Sequence, residues 1–114
     1  MSSADALIGT PGEIDWYSHP LVGQVDYAIS VLGASNGNTL LDPAVVVYDG
    51  AGNFVTSGDD SWALGKDPLI QFQAPSTGTY YIGVFDMTNS VGSYSLVVDA
   101  AGPPVFFGGF PGTI

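Results

Sequence analysis

Carboxylates are the most informative side chains of this sequence, because they could bind a hard cation. Asp59, Asp60 and Asp67 lie in one short segment between two predicted strands. Ca²⁺ takes several oxygen ligands, and short acidic loops can bring such ligands together. Adjacent aspartates repel each other unless water or a cation separates their charges, so the pair is either an exposed acidic turn or part of a metal clamp. Taken alone, these residues favour the exposed turn.

The sequence offers few groups for catalysis. It contains no cysteine, and its single histidine, His19, stands between Ser18 and Pro20 in a predicted turn. It has neither a His-Glu-x-x-His zinc motif nor a glycine-rich phosphate loop that ends in lysine. Asp59 and Asp60 are neighbours on one turn, whereas the two acids of a glycosidase must flank the scissile bond. We therefore predict that the chain is not an enzyme.

The charge of the chain limits its partners. Eleven acidic residues stand against Lys66 alone, which gives a formal charge of −10. Such a charge repels nucleic acid and anionic membranes, and it also repels other copies of the chain. We therefore expect a monomer that binds no nucleic acid.

The expected location is outside the cell. No apolar run approaches the roughly 20 residues of a membrane span, so we expect no membrane insertion. The first residues lack the features of an export signal, so we expect a domain of a longer secreted protein whose signal lies elsewhere. Without disulfides, its stability must come from core packing or a bound metal.

Alternating apolar residues predict strands almost everywhere. Residues 25–31 alternate cleanly, and residues 78–84 and 92–98 each begin at a turn-forming glycine. Shorter patterns predict four further strands, at residues 14–17, 44–48, 54–56 and 69–73. Helical periodicity is absent, and Gly, Pro and Asn mark the turns between strands. The expected fold is all-β, an antiparallel β-sandwich of jelly-roll type.

The predicted organisation is one domain with two flanking segments. Residues 1–9 are expected to form an N-terminal linker, residues 10–99 the sandwich, and residues 100–114 a connector rich in Gly, Pro and Phe. The connector could pack on the sandwich or add a strand at an exposed edge. Frequent Gly and Pro favour the packed connector, and in both cases its phenylalanines should be covered.

Several short motifs, taken in order, resemble the bacterial pre-peptidase C-terminal domain family, which is related to the collagen-binding modules of bacterial collagenases. They are Glu-Ile-Asp-Trp-Tyr at 13–17, Leu-Asp-Pro at 41–43, Tyr-Asp-Gly-Ala-Gly-Asn at 48–53, Asp-Asp at 59–60, and the two strands at 78–84 and 92–98. The resemblance covers about residues 8–98. It implies a non-catalytic accessory module of a secreted bacterial protease or adhesin, which tethers or packs on neighbouring domains.

The resemblance also implies a calcium site in one of two acidic clusters. Relatives often carry Asn-Asp-Asp in the loop at 58–60, where this chain has Gly58 in place of the Asn. In the collagen-binding modules, the acid before the paired aromatics binds calcium together with an acidic linker. Asp15 matches that acid, and Asp5 is the only acid of the linker. The candidate ligands for Ca²⁺ are Asp59, Asp60 and Asp67 in the first cluster and Glu13 and Asp15 in the second.

Aromatic residues suggest an alternative function, which is the binding of carbohydrate or extended peptide. Trp62, in the acidic loop, is the predicted exposed ring. Phe85 and Met87 occupy positions where the collagen-binding relatives have tyrosines, so they keep an apolar surface without the hydroxyls. Four other aromatics lie at strand positions where we predict core packing: Trp16, Tyr27, Tyr80 and Tyr94.

Overall fold

A computed structural model describes residues 2–61 and 64–100 of the chain. Eight strands account for most of these residues, and one short 3-10 turn spans Ala34–Asn36. The strands are β1 (Ser2–Ile8), β2 (Asp15–Leu21), β3 (Asp26–Leu32), β4 (Pro43–Tyr48), β5 (Phe54–Gly58), β6 (Leu69–Gln73), β7 (Gly78–Asp86) and β8 (Gly92–Ala100). Within the described ranges, no helix is long and apolar enough to cross a membrane.

The strands form two four-stranded sheets. Sheet A has the order β1-β8-β3-β6 and sheet B the order β2-β7-β4-β5, and every pair of neighbours is antiparallel. This confirms the prediction of an all-β, antiparallel sandwich, while its jelly-roll type stays a prediction.

The core lies between the sheets and follows the alternation of the sequence. Successive side chains of a strand point to opposite faces, so every second residue enters the core. Tyr80 and Tyr94 are buried as predicted, and Tyr27 packs against the core while half-buried. The other fully buried strand residues include Ile29, Val31, Val45, Val47, Ile82 and Val84.

The N-terminal segment differs from its prediction as a linker. Ser2–Ile8 forms β1, which pairs with β8 from Ser2 opposite Val98 to Ile8 opposite Gly92. Ile8 is 1% exposed and belongs to the core, and Ala6 packs against that core. Small alanines give only a weak alternation signal, which is why the sequence pattern did not indicate a strand. The predicted connector lies outside the described residues except for Ala100, which ends β8.

The first strand of sheet B is longer than predicted. The sequence predicts a strand at residues 14–17 and a turn at His19, whereas β2 continues to Leu21 and includes that histidine. Pro20 can lie within β2 because β2 is an edge strand, where a missing N–H removes no ladder bond from the interior of the sheet.

Candidate functional site

The Glu13–Asp15 cluster is connected to two tyrosines at the boundary of the core. Asp15 begins β2, and its Oδ2 accepts a hydrogen bond of 2.7 Å from the Tyr94 hydroxyl. The hydroxyls of Tyr94 and Tyr17 are themselves hydrogen-bonded to each other. Burial, together with the hydrogen bonds to Tyr17 and Asp15, raises the pKa of Tyr94 far above its ordinary value. Tyr94 therefore remains a neutral donor that holds Asp15 in place.

Glu13 and Asp15 also contact each other, and the contact affects them in opposite ways. It lowers the pKa of Glu13, as do hydrogen bonds to the Glu13 side chain from the amides of Gly9 and Thr10, at 3.0 and 3.1 Å. Burial is the largest cause that raises the pKa of Asp15, and the contact with Glu13 adds to it. Asp15 is therefore the member of the pair that takes up a proton first.

Asp67, in the loop before β6, forms hydrogen bonds with the loop after β3. It does not share a site with Asp59 and Asp60. It is fully buried, and its Oδ2 accepts hydrogen bonds from the Gly33 amide at 2.8 Å and from Asn36 Nδ2 at 2.6 Å. Its other oxygen, Oδ1, is buried without a hydrogen-bond partner among the described residues. Asp67 thus holds the loop after β3 against the loop before β6.

Asp86, which the sequence analysis did not single out, has a similar role at the end of β7. Its Oδ1 accepts hydrogen bonds from the Thr88 amide, the Thr88 hydroxyl and the Ser90 amide, and its Oδ2 accepts one from the Asp42 amide. The signal in the sequence is Asp-x-Thr-x-Ser at 86–90, since an Asp that bonds to amides two and four residues later forms a local turn.

Asp59 and Asp60 follow β5 directly. The Asp59 carboxylate accepts a hydrogen bond of 2.8 Å from the Asp60 amide, and the Asp60 side chain is exposed. Across residues 2–61 and 64–100, no three His, Cys, Asp or Glu side chains converge as a group that could hold a metal ion. Asp5 does not join Glu13 and Asp15, because its carboxylate accepts a hydrogen bond from Ser95. Neither cluster forms a complete protein cage for calcium, and calcium binding stays a prediction.

The candidate ligand-binding residues lie in different places. Phe85 is half-buried near the end of β7, Met87 follows that strand and is 52% exposed, and Trp62 lies outside the described residues. The prediction that Trp16 belongs to the core is wrong, since its side chain is 53% exposed on the outer face of sheet B. Alternation shows that two faces exist, but the sequence alone does not show which face is inward.

The outer face of sheet B carries further aromatics that the sequence analysis did not select. Phe54 is 61% exposed and Tyr81 is 42% exposed. The ring centroids of Trp16 and Tyr48 lie 5.9 Å apart, and those of Tyr48 and Phe54 lie 6.1 Å apart. The sequence signal for this aromatic face is Gly83, because a glycine among bulky residues of a strand leaves room for a large side chain from the neighbouring strand.

The molecule is a β-sandwich domain, because two antiparallel sheets enclose one core. Buried carboxylates accept hydrogen bonds from its loops. A sequence profile of the bacterial pre-peptidase C-terminal domain matches residues 15–86, which is more than half of the chain. The chain belongs to the bacterial pre-peptidase C-terminal domain family, as its motifs predicted.

One solved structure shows the same fold. It is the crystal structure of the pre-peptidase C-terminal domain of collagenase from Bacillus anthracis, with a TM-score of 0.69 and 22% sequence identity over 86% of this chain and 88% of that chain. At this identity the likeness concerns the fold alone. A comparison with curated proteins found no match.

Proposed function

We propose that this chain is a non-catalytic accessory module of a secreted bacterial multidomain protein, such as a protease or an adhesin, and that it tethers or packs on neighbouring domains. The observation that carries the proposal is the pairing of Ser2 with Val98 at the end of the β1–β8 ladder. The first and the last described residues of the sandwich therefore lie at one end of sheet A. Chain ends that lie side by side suit a module that is attached to neighbouring domains at one end and has its other surfaces exposed.

The use of the carboxylates supports a non-catalytic role. Asp67 and Asp86 are the buried charged residues of the described chain, and both accept hydrogen bonds from loop groups. A catalytic acid or base needs a free position within reach of a substrate proton. These two carboxylates serve the fold instead.

The proposal is tested by fluorescent reporters fused to both ends and by assays of turnover. We expect efficient energy transfer between the reporters with an unchanged melting temperature, and no hydrolysis of chromogenic peptide, ester or glycoside substrates above the blank. Weak transfer in a folded fusion would contradict tethering from one end. Reproducible turnover that Asp60→Asn abolishes would contradict the non-catalytic role.

We propose in addition that Glu13 and Asp15 form a weak calcium site. Their carboxyl groups are in contact, and a cation would offset the repulsion that arises when both are charged. The pair supplies only two side chains, so most of the oxygen ligands that calcium needs would come from water or the backbone.

The calcium proposal is tested by thermal denaturation. Calcium that binds only the folded chain should stabilise it by about 1.4 kcal/mol at a tenfold excess over Kd, and magnesium should do less. Asp15→Asn should abolish the shift, whereas the control Asp59→Asn with Asp60→Asn should keep it. If only the Asp59→Asn, Asp60→Asn control lost the shift, the calcium site would lie in the loop after β5. If calcium left the melting curve of the wild-type chain unchanged, neither cluster would be a calcium site.

The second candidate function is the recognition of a carbohydrate or an extended peptide. The observation that favours it is the exposure of Trp16, Phe54 and Tyr81 on one sheet face, because large exposed apolar patches mark binding sites. The sequence favoured Trp62, Phe85 and Met87 for this role, and their part in it stays a prediction; Phe85 shares the outward side of β7 with Tyr81.

A further inference from the structure

Four aromatic side chains form a strip across the outer face of sheet B. The aromatic strip consists of Trp16 on β2, Tyr81 on β7, Tyr48 on β4 and Phe54 on β5. The strand register places Tyr81 and Phe54 on either side of Tyr48, and Trp16 reaches Tyr48 diagonally. Four adjacent strands extend over about 14 Å, since neighbouring strands lie about 4.8 Å apart.

The indole of Trp16 lies on Gly83. A Cβ built on Gly83 would meet three atoms of the six-membered ring of the indole at 2.8 to 3.1 Å. The register pairs the two residues across β2 and β7, and Gly83 is buried although it points outward. The ring therefore covers the glycine, while the side chain remains 53% exposed. This arrangement presents an aromatic surface to solvent from a fixed position.

The tyrosine hydroxyls divide into two groups. Those of Tyr17, Tyr27, Tyr80 and Tyr94 are engaged in hydrogen bonds that hold the fold. No hydrogen bond among the described residues uses the hydroxyls of Tyr48 and Tyr81. A hydroxyl beside an exposed ring can serve a ligand that has both apolar and polar groups.

The strip is uncharged in a strongly acidic protein. The outward positions around it include Ser18, Val46, Ser57 and Thr79, as the alternation of their strands requires, and Pro20, Ala44 and Phe85 on the same face are likewise uncharged. Asp49, in the turn after Tyr48, is bound to the amides of Ala51 and Asn53.

The outer face of sheet A differs in charge. It carries three aspartates, Asp5, Asp26 and Asp99, all of them exposed. The net charge of −10 repels an anionic ligand, and a cationic ligand would favour the aspartates over the strip. The charge distribution therefore matches a neutral ligand on the strip.

The shape of the face separates two neutral ligands. An extended peptide binds by adding a strand to a free edge or by lying in a groove. The strip runs across the strands, over β7 and β4, which are paired on both sides, so a peptide added at the β2 or β5 edge would meet only one end of it. Two cavities of the described residues, one beside Asp26 and Phe72 and the other beside His19 and Leu96, are lined by none of the four rings. The ring planes of Trp16 and Phe54 stand at 80° and 83° to the plane of Tyr48, so the strip presents ring faces alternating with a ring edge. The exposed indole of Trp16, which lies on Gly83, suits the apolar C–H face of a sugar ring.

We propose that the aromatic strip binds a neutral polysaccharide chain, in which one sugar ring stacks on Trp16 and the neighbouring sugars contact the rings beside it. The inference rests on the second candidate function and gives it a site and a ligand class. Ser18, Ser57 and Thr79 surround the rings with hydroxyls that match those of the ligand. Binding by stacking and neutral hydrogen bonds should persist at high salt, because it does not depend on charge.

The proposal is tested by retention on insoluble cellulose, chitin and starch, with gelatin as the peptide probe. We expect the wild-type chain to be retained on at least one of the polysaccharides, with unchanged retention at high NaCl. Trp16→Ala should weaken retention at least tenfold, and Phe54→Ala several-fold. Leu7→Ala is the matched control, because Leu7 is 60% exposed on β1 of the other sheet and should leave retention unchanged.

Gly83→Ala tests the position of the ring without removing it. Gly83 does not have a positive φ, so alanine meets no backbone strain and acts by displacing the indole. We expect weakened retention with little loss of melting temperature, and Trp16→Phe should restore part of the binding that Trp16→Ala loses. In a Trp62→Phe background, soluble oligosaccharide should change the fluorescence of the remaining tryptophan.

Four outcomes would overturn the proposal. The first is failure of the wild-type chain to bind any of the three polysaccharides, and the second is retention on gelatin alone. The third is an association in sedimentation that Trp16→Ala abolishes, which would assign the strip to a second copy. The fourth is polysaccharide binding that survives Trp16→Ala and Phe54→Ala, which would leave the second candidate function in place and remove the strip as its site.

Discussion

Asp86 shows how a single carboxylate can organise a loop. Burial alone would raise the pKa of Asp86, but hydrogen bonds from Thr88, Ser90 and Asp42 outweigh it and hold that pKa well below its ordinary value. The folded chain therefore stabilises the charged form of Asp86. It fixes the turn between β7 and β8 and joins that turn to the segment before β4.

Removal of this carboxylate should be costly. Asp86→Ala leaves the amides of Thr88, Ser90 and Asp42 without their acceptor, and we expect a loss of about 3 kcal/mol in urea denaturation, since each unsatisfied buried group costs roughly 1–3 kcal/mol. Asp99→Ala, on an exposed face, should change little. Because the folded pKa is lowered, the stabilisation is complete above about pH 4 and is lost as the pH falls further. Equal stability of the two variants would contradict this role.

Asp42 should respond to pH in the opposite direction. Burial, followed by repulsion from Asp60, raises the pKa of Asp42, and its Oδ1 is buried without a hydrogen-bond partner in the described part of the chain. Because the pKa of Asp42 is higher in the folded chain than in the unfolded chain, the free energy of unfolding falls as the pH rises above the ordinary pKa of an aspartate. It becomes constant once the pH exceeds the pKa of Asp42 in the folded chain. Asp42→Asn should therefore increase stability at pH 7, by about 0.5 kcal/mol, and flatten this fall. A destabilised Asp42→Asn variant in a pH series would show that its charge is favourable.

At the scale of the elements, β1 decides whether the N-terminal segment belongs to the domain. Ile8 is 1% exposed, whereas the adjacent Leu7 is 60% exposed. Ile8→Ala should cost about 2–4 kcal/mol through lost burial and the cavity left behind, and Leu7→Ala should cost little. Chemical denaturation of both variants measures the difference. Similar small effects would restore the interpretation of this segment as a linker.

The strands that the sequence predicted best are those with large alternating side chains. β7 and β8 begin at turn-forming glycines and alternate bulky apolar residues, so local pattern and tertiary burial agree. β1 was missed because its inward residues before Ile8 are small. The neighbours of Asp15 were beyond prediction, since Tyr94 is 79 residues away and reaches it only when β8 and β2 face each other across the core.

At the scale of the whole molecule, charge and aromatic surface are segregated. Aspartates occupy the outer face of sheet A, and the aromatic strip occupies the outer face of sheet B. With one lysine against eleven acids, few of these charges can find a partner of opposite sign. Mutual repulsion therefore acts against folding throughout the molecule, and it does so most at low ionic strength.

Salt should consequently stabilise the chain. The Debye length falls from about 30 Å at 0.01 M to about 10 Å at 0.1 M, so added NaCl screens the repulsion among the aspartates. We expect the melting temperature to rise by a few degrees over this range, while sedimentation shows a monomer at both ends of it. Asp26→Asn with Asp99→Asn should raise the melting temperature at low salt and reduce the later gain, because two of the repelling charges are gone. CaCl₂ at matched ionic strength should add a further increase only if a specific site exists. A melting temperature that falls with NaCl would mean that attractive pairs outweigh the repulsion, in contradiction to the charge of −10.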